Sequence, residues 1–282
     1  MPSISFFYGG IACMVAATFT HPIDTIKTRL QLNGELAQVS KSNVVMNVIR
    51  EEGIFALWRG LTPSLLREAS YSTIRMGLYE PFKELFSSGE AKEPLYKKIL
   101  AGGASGIIGA GIANPTDLIK VRYQASSNIK VGVVQTALDI VKKEGFWGLY
   151  RGVGPTSQRA MILTATQLSS YDHTKRYLID TLNFNEGILT HFVASMVAGF
   201  ACATTTAPVD LVKSRYMNQK YENGKGVLYS SPADCFAKTF KAEGIPGFFK
   251  GWLPSWFRLG PHTIITFIVL EQLRKYSGIK PV

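Results

Sequence analysis

The chain has 282 residues, 46% hydrophobic and 18% charged, with 26 glycines, and a mean hydropathy of +0.09, too polar for a bundle wholly immersed in lipid yet apolar for a soluble protein. Thirty-one basic residues against 20 acidic ones give a net charge of +11, which suits attraction of an anionic solute or contact with anionic lipid. No basic stripe with interleaved aromatics argues for nucleic acid, and Cys13, Cys202 and Cys235, without CxxC spacing, exclude a disulfide scaffold or a metal site.

The first predicted element is the apolar run 4–20. No basic region precedes it, so it reads as a span and not as a leader, and any organelle address would be internal. It ends at Pro22-Ile-Asp24-Thr-Ile-Lys27-Thr-Arg29. The pattern Pro-x-Asp-x-x-Lys-x-Arg returns after 93 residues at Pro115, Asp117, Lys120 and Arg122, closing the run 99–114. It returns after another 93 at Pro208, Asp210, Lys213 and Arg215, closing the run 188–208. Three copies in register mark a triplicated unit, each placing an acid, a base and a helix-kinking proline at the end of an apolar run. Continued past the proline, each run suffices for a tilted span. Small residues recur every four positions, as Gly9, Cys13 and Ala17, then Gly102, Gly106 and Ala110, then Ser195, Gly199 and Ala203. That spacing forms a stripe along which neighbouring helices approach closely.

Short helical patterns follow at Val44–Glu51, Val134–Lys143 and Ala233–Ala242. They lead into Glu52-Gly53…Trp58-Arg59-Gly60, Glu144-Gly145…Tyr150-Arg151-Gly152 and Glu243-Gly244…Phe249-Lys250-Gly251. The acid-glycine pair predicts a left-handed helix cap, and the aromatic-basic-glycine triplet suits a membrane interface. Pro63, Pro155 and Pro254 then start a second long helix in each unit.

These second helices carry charge at mid-length. Arg67, Tyr71 and Arg75 share one drifting stripe, matched by Arg159, Leu163 and Gln167 and by Arg258, His262 and Thr266. Three arginines facing lipid would cost roughly 8–10 kcal/mol on insertion scales, so they should face a watery interior. The helices end in Tyr79-Glu80-x-x-Lys83, Tyr171-Asp172-x-x-Lys175 and Leu270-Glu271-x-x-Arg274. Singly, each is an ordinary intrahelical pair; tripled, they suggest a second ring of charge opposite the first. The predicted fold is an all-α membrane protein with six transmembrane helices. They form three tandem repeats, 1–88, 93–180 and 187–277, that make one transport domain.

Over its whole length this pattern resembles the mitochondrial carrier family, whose signature is Pro-x-[Asp/Glu]-x-x-[Lys/Arg] in each of three repeats. The resemblance implies a six-helix barrel in the mitochondrial inner membrane, probed from either side through two salt-bridge gates. Carried over, the matrix gate pairs Asp24 with Lys120, Asp117 with Lys213 and Asp210 with Lys27, braced by Gln31 and Gln124, with Met217 in the third bracing position. The cytoplasmic gate pairs Glu80 with Lys175, Asp172 with Arg274 and Glu271 with Lys83, braced by Tyr79 and Tyr171, with Leu270 departing from the pattern. Substrate contacts fall on Arg67, Arg159 and Arg258, with Arg75, Gln167, His262 and Thr266 as neighbours. Three arginines suit a solute with two anionic ends.

The segments around Arg67, Thr190 and Arg258 are similar to the dicarboxylate, oxoglutarate and uncoupling-protein branch. The leading expectation is exchange of malate- or succinate-type dicarboxylates for phosphate or another small dianion, with no cofactor. An uncoupling-type proton carrier is the alternative, with His262 or Glu68 as its titratable group, or a carrier of a related anion such as oxoglutarate or oxaloacetate. A non-transporting adaptor should have lost gate pairs or arginines, which are all present here, and no phosphate loop or nucleophile-base spacing argues for an enzyme. The implied partners are small dianions and inner-membrane lipid, cardiolipin included, around a monomer.

Overall fold

In the computed structural model the described residues are 2–32, 46, 48–86, 94–125, 132–182, 184–185, 187–219, 221–222 and 225–277. Among them six helices are long: α1 (Pro2–Leu32), α2 (Leu61–Phe86), α3 (Leu95–Ala125), α5 (Val153–Asp180), α6 (Ile188–Asn218) and α8 (Trp252–Tyr276). Two shorter ones, α4 (Val133–Glu144) and α7 (Pro232–Phe248), lie between members of a pair, as do short turns at 48–52 and 54–58 in the first unit. The predicted stretch from Val44 begins outside the described residues. A two-residue hairpin, β1 (Tyr221–Glu222) with β2 (Lys225–Gly226), is antiparallel.

The long helices form a closed ring. The packing of α2 on α3, α5 on α6 and α8 on α1 joins one repeat to the next, and α3 also packs on α5. The odd helices α1, α3 and α6 touch one another pairwise, which draws them together at the motif end. There the apolar core is three small clusters, one per repeat. Leu118, Val121, Ile140, Leu149 and Met217 form one, Leu211, Val212, Tyr229, Cys235 and Phe248 another, and Val48, Ala56 and Leu57 the third.

The odd helices run unbroken through Pro22, Pro115 and Pro208. A proline withholds its N–H from the carbonyl four residues earlier. For Pro22 that carbonyl belongs to Thr18, and Trp58 Nε1 donates to it at 3.0 Å. The triplet tryptophan therefore caps the break made by the motif proline.

Two expectations are corrected. In the second unit the predicted stripe is buried as expected, at Gly102, Gly106 and Ala110, but in the first and third the most buried small residues lie one position earlier, at Ala12, Ala16, Ala194 and Ala198, while Ser195 is exposed. Adjacent helical residues differ by about 100°, so a broad small-residue face leaves its centre undetermined by spacing alone. Second, Gly53, Gly145 and Gly244 have positive φ (82°, 76° and 63°), but their ψ values of 165°, 174° and −164° are extended. That is a region open essentially to glycine alone, and not the left-handed helical cap. Of the six long helices only Leu189–Asn218 is apolar enough to cross a membrane by composition, among the described residues. The arginines, glycines and motif charges dilute the others. These still expose large apolar side chains: Phe19 is 68% exposed, and Ile112, Ile264 and Ile268 are exposed too.

Candidate functional site

The motif end brings nine charged side chains into one ring. Lys27 Nζ donates to Asp210 Oδ2 at 2.7 Å, Lys120 Nζ lies 3.3 Å from Asp24 Oδ2, and Lys213 Nζ pairs with Asp117 Oδ2. Each lysine thus crosses to the aspartate of another repeat. The geometry follows from the helical spacing: Asp and Lys three residues apart share one face, and converging odd helices turn that face inward.

Each aspartate also holds an arginine from the even helix packed beside it. Arg258 Nη1 donates to Asp24 Oδ2 at 2.9 Å, Arg159 Nε donates to Asp210 Oδ1, and Arg67 Nε forms an ion pair with Asp117 Oδ1 at 2.8 Å. Sequence reasoning missed these contacts, having placed the arginines in a separate layer. Their matching places in the three repeats gave a common height but not their depth against the aspartates. Three aspartates against three lysines and three arginines leave an excess of three formal positive charges in the ring. Asp117, Asp210 and Lys213 are buried, so this excess is poorly screened.

Arg75 Nη2 reaches Thr164 Oγ1 on α5 at 3.5 Å. Arg67 and Arg75 both lie over the Tyr71 ring, 5.4 and 5.9 Å from its centroid, a cation–π stack along the stripe. His262 Nδ1 is 3.4 Å from Thr20 Oγ1, tying α8 to α1, and Thr266 Oγ1 donates to the His262 carbonyl at 2.7 Å. Gln167 is exposed. Gln31 and Gln124 bridge helices: Ser214 Oγ donates to Gln31 Oε1 at 2.8 Å, Thr28 Oγ1 donates to Gln124 Oε1 at 3.1 Å, and Gln124 Nε2 donates to Thr25 at 3.3 Å. Met217 packs into the apolar cluster beneath α3.

The fourth motif residue makes a second ring that spacing did not reveal. Arg29 forks onto Glu52 at 2.5 and 2.7 Å, Arg122 onto Glu144, and Arg215 Nη2 reaches Glu243 Oε1 at 2.7 Å. The triplet bases grip the same acids: Arg59 at 3.5 Å from Glu52, Arg151 at 2.8 Å from Glu144, Lys250 at 2.7 Å from Glu243. These cations turn inward instead of resting at the interface, because each acid is nearly buried and needs compensation. Burial alone would raise the Glu243 pKa, but hydrogen bonds from Lys250 and Arg215 outweigh it and hold the carboxyl below the usual range. Each motif arginine also uses Nε to reach the next repeat: Arg29 to the Gln124 carbonyl (3.0 Å), Arg122 to that of Met217 (2.9 Å), Arg215 to that of Gln31 (3.2 Å).

The opposite end is arranged differently. Glu80 pairs with Lys83 of its own helix at 3.8 Å. Among the described residues Glu80 does not meet Lys175 and Glu271 does not meet Lys83, and the Arg274 side chain lies outside them. Tyr79 lies beside α3 near Gly102. Tyr171 pairs with His191. Among the described residues the Glu80–Lys175 and Glu271–Lys83 pairs are not formed, and the odd helices converge at the motif end. The motif end is therefore closed by ion pairs, with the guanidiniums of Arg67, Arg159 and Arg258 seated on the ring's aspartates.

The chain matches the family profile described as mitochondrial carrier protein over residues 2–90, 91–182 and 184–280. It is 52% identical to the mitochondrial substrate carrier family protein ucpB of Dictyostelium discoideum, over 99% of this chain and 97% of that protein. It is 40% identical to a probable mitochondrial 2-oxoglutarate/malate carrier protein of the same organism (95% and 88% covered). To mitochondrial uncoupling protein 5 of Arabidopsis thaliana it is 38% identical (96% of each chain).

Proposed function

Since this chain belongs to the mitochondrial carrier family, whose members are transporters of the mitochondrial inner membrane, we propose that it resides there and exchanges malate- or succinate-type dicarboxylates for phosphate or another small dianion by alternating access. The observation that carries this reading is that each of Arg67, Arg159 and Arg258 already holds a carboxylate of the ring. A dianion entering the cavity offers two carboxylates to guanidiniums whose fork geometry is made for them. It competes with Asp24, Asp117 and Asp210 for those arginines and offsets two of the three excess charges. An aspartate that surrenders its arginine keeps only its lysine, so binding loosens the motif-end gate from within. Differential affinity of this kind is what a ligand needs to shift a conformational equilibrium. The likeness to a probable oxoglutarate/malate carrier supports the same cargo class.

A second reading, proton conduction of the uncoupling kind, is supported by the likeness to an uncoupling protein and by His262 beside Thr20 in the cavity wall. Purified protein in liposomes separates the two. Exchange of labelled malate against internal malate or phosphate supports the first. Palmitate-stimulated proton flux with no such exchange refutes it. We take the carrier to act as a monomer among anionic inner-membrane lipids, cardiolipin included.

A further inference from the structure

At the end away from the motifs, where α5 meets α6, Tyr171 Oη lies 2.5 Å from His191 Nδ1. The two rings stack with centroids 6.3 Å apart and planes 15° from parallel. The first turn of α6 fixes the imidazole: His191 N–H donates to the Gly187 carbonyl at 3.2 Å, and buried Thr190 donates Oγ1 to the Asn185 carbonyl at 2.7 Å. Tyr171 immediately precedes Asp172 in the acid-base element of its repeat, and its hydroxyl is engaged by His191. The corner is not repeated around the barrel: 93 residues before His191 stands Lys98.

We propose that His191 is a positioning residue that captures Tyr171 and keeps the cytoplasmic end open, and that protonation of His191 releases the phenol to the acids of that end. The inference rests on the alternating-access reading and not on the cargo. In the neutral tautomer that carries its proton on Nε2, Nδ1 accepts and the tyrosine spends its single proton there. With a proton on each ring nitrogen, Nδ1–H donates to the phenol oxygen, and the tyrosine O–H is free to donate to a carboxylate. Histidine is the side chain that makes this change near neutrality. The charged and titratable groups at this end are Asp172, His173, Lys175, Arg176, Tyr177 and Asp180 on α5, with Glu271 and Lys275 at the same end of α8. The first turn of α6 carries none besides His191. Asp172 and Glu271 are the carboxylates a released phenol could meet when the even helices close.

The test is a cross-link that needs no substrate. Glu80→Cys with Lys175→Cys forms a disulfide only when the two helix ends approach, and its rate under mild oxidant reports closure. The same chain without the two cysteines is the control for Cys13, Cys202 and Cys235. The expected rate is slow at about pH 8 and about fivefold faster at about pH 6, the factor one net hydrogen bond is worth. His191→Phe should be fast at both pH values. His191→Gln, which keeps a hydrogen-bonding partner but cannot titrate, should be slow at both. In Tyr171→Phe the pH dependence should vanish, and adding His191→Phe to it should change nothing further. A His191→Phe variant with the parent's rate and pH profile overturns the proposal, as does a His191→Gln variant that keeps the pH dependence. A failed malate assay alongside the expected cross-linking would overturn the cargo reading and leave this one standing.

Discussion

Replacing the three motif lysines one at a time by methionine tests whether the Asp–Lys pairs act as a gate. At an effective dielectric of about 20, a unit pair at the Lys27–Asp210 separation of 2.7 Å attracts with roughly 6 kcal/mol, and one at the Lys120–Asp24 separation of 3.3 Å with about 5. Desolvation cancels most of either figure, leaving the ~1.5–3 kcal/mol typical of a charged hydrogen bond. The difference between the two sites, about 1 kcal/mol, survives as roughly a sixfold difference in effect. Lys27→Met and Lys213→Met should therefore shift the open–closed equilibrium of the motif end by roughly 10- to 150-fold. Lys120→Met should shift it several-fold less. Fewer carriers then face the cytoplasm, and apparent affinity on that face falls by the fraction lost. The assay is the apparent KM from the cytoplasmic face of oriented liposomes, measured for two unlike anions. Since the lysines bind aspartates and not cargo, both anions should shift by the same factor. A shift that discriminates between anions, or a Lys120→Met effect as large as that of Lys27→Met, refutes the reasoning.

Arg159→Ala should lower exchange by about 100-fold or more, as expected from loss of a fork worth ~1.5–3 kcal/mol to the substrate together with a disturbed Asp210, while thermal unfolding still shows a folded protein; near-normal transport would remove Arg159 from the site. Glu243 has a lowered folded-state pKa, so its stabilisation is present above the ordinary glutamate value of about 4.3 and is lost as acid carries the pH down through the lower folded value. The thermal midpoint of the parent protein should thus fall more steeply below about pH 4.3 than that of Glu243→Gln; parallel curves would deny the linkage. Gly145→Ala should destabilise by about 1–3 kcal/mol, although a Cβ there meets nothing, because φ 76° with ψ 174° strains any other residue. A midpoint within a degree of the parent's would mean the turn relaxes.

The triplication and the two long helices of each unit were legible in the chain, because a fixed period and a three-residue offset constrain which side chains share a face; which repeat each of Lys27, Lys120 and Lys213 crosses to came only from the family resemblance. What spacing withheld was depth along the barrel. Nothing in the sequence says that Arg67, Arg159 and Arg258 hang low enough to touch the aspartates, since that depends on how even and odd helices slide past one another. The inward turn of Arg59, Arg151 and Lys250 was hidden for a different reason. A basic residue beside an aromatic satisfies an interface equally well, and only the burial of Glu52, Glu144 and Glu243 decides the matter. The Tyr171–His191 contact joins residues of two repeats with no counterpart elsewhere in the ring, so the repeat pattern could not announce it.

The Nε clasps of Arg29, Arg122 and Arg215 run from the first repeat to the second, the second to the third, and the third back to the first. Open arrays of repeats lose stability gradually, unit by unit, and tolerate deletion of a member. A cycle of three has no outer member to give up. Removing one repeat here strands an arginine on one side and a helix-end carbonyl on the other, so no pair of repeats is a folding unit. The closed cycle of clasps predicts that the barrel melts as a single cooperative body, a single calorimetric transition being the expected result, even though its sequence is written in three parts.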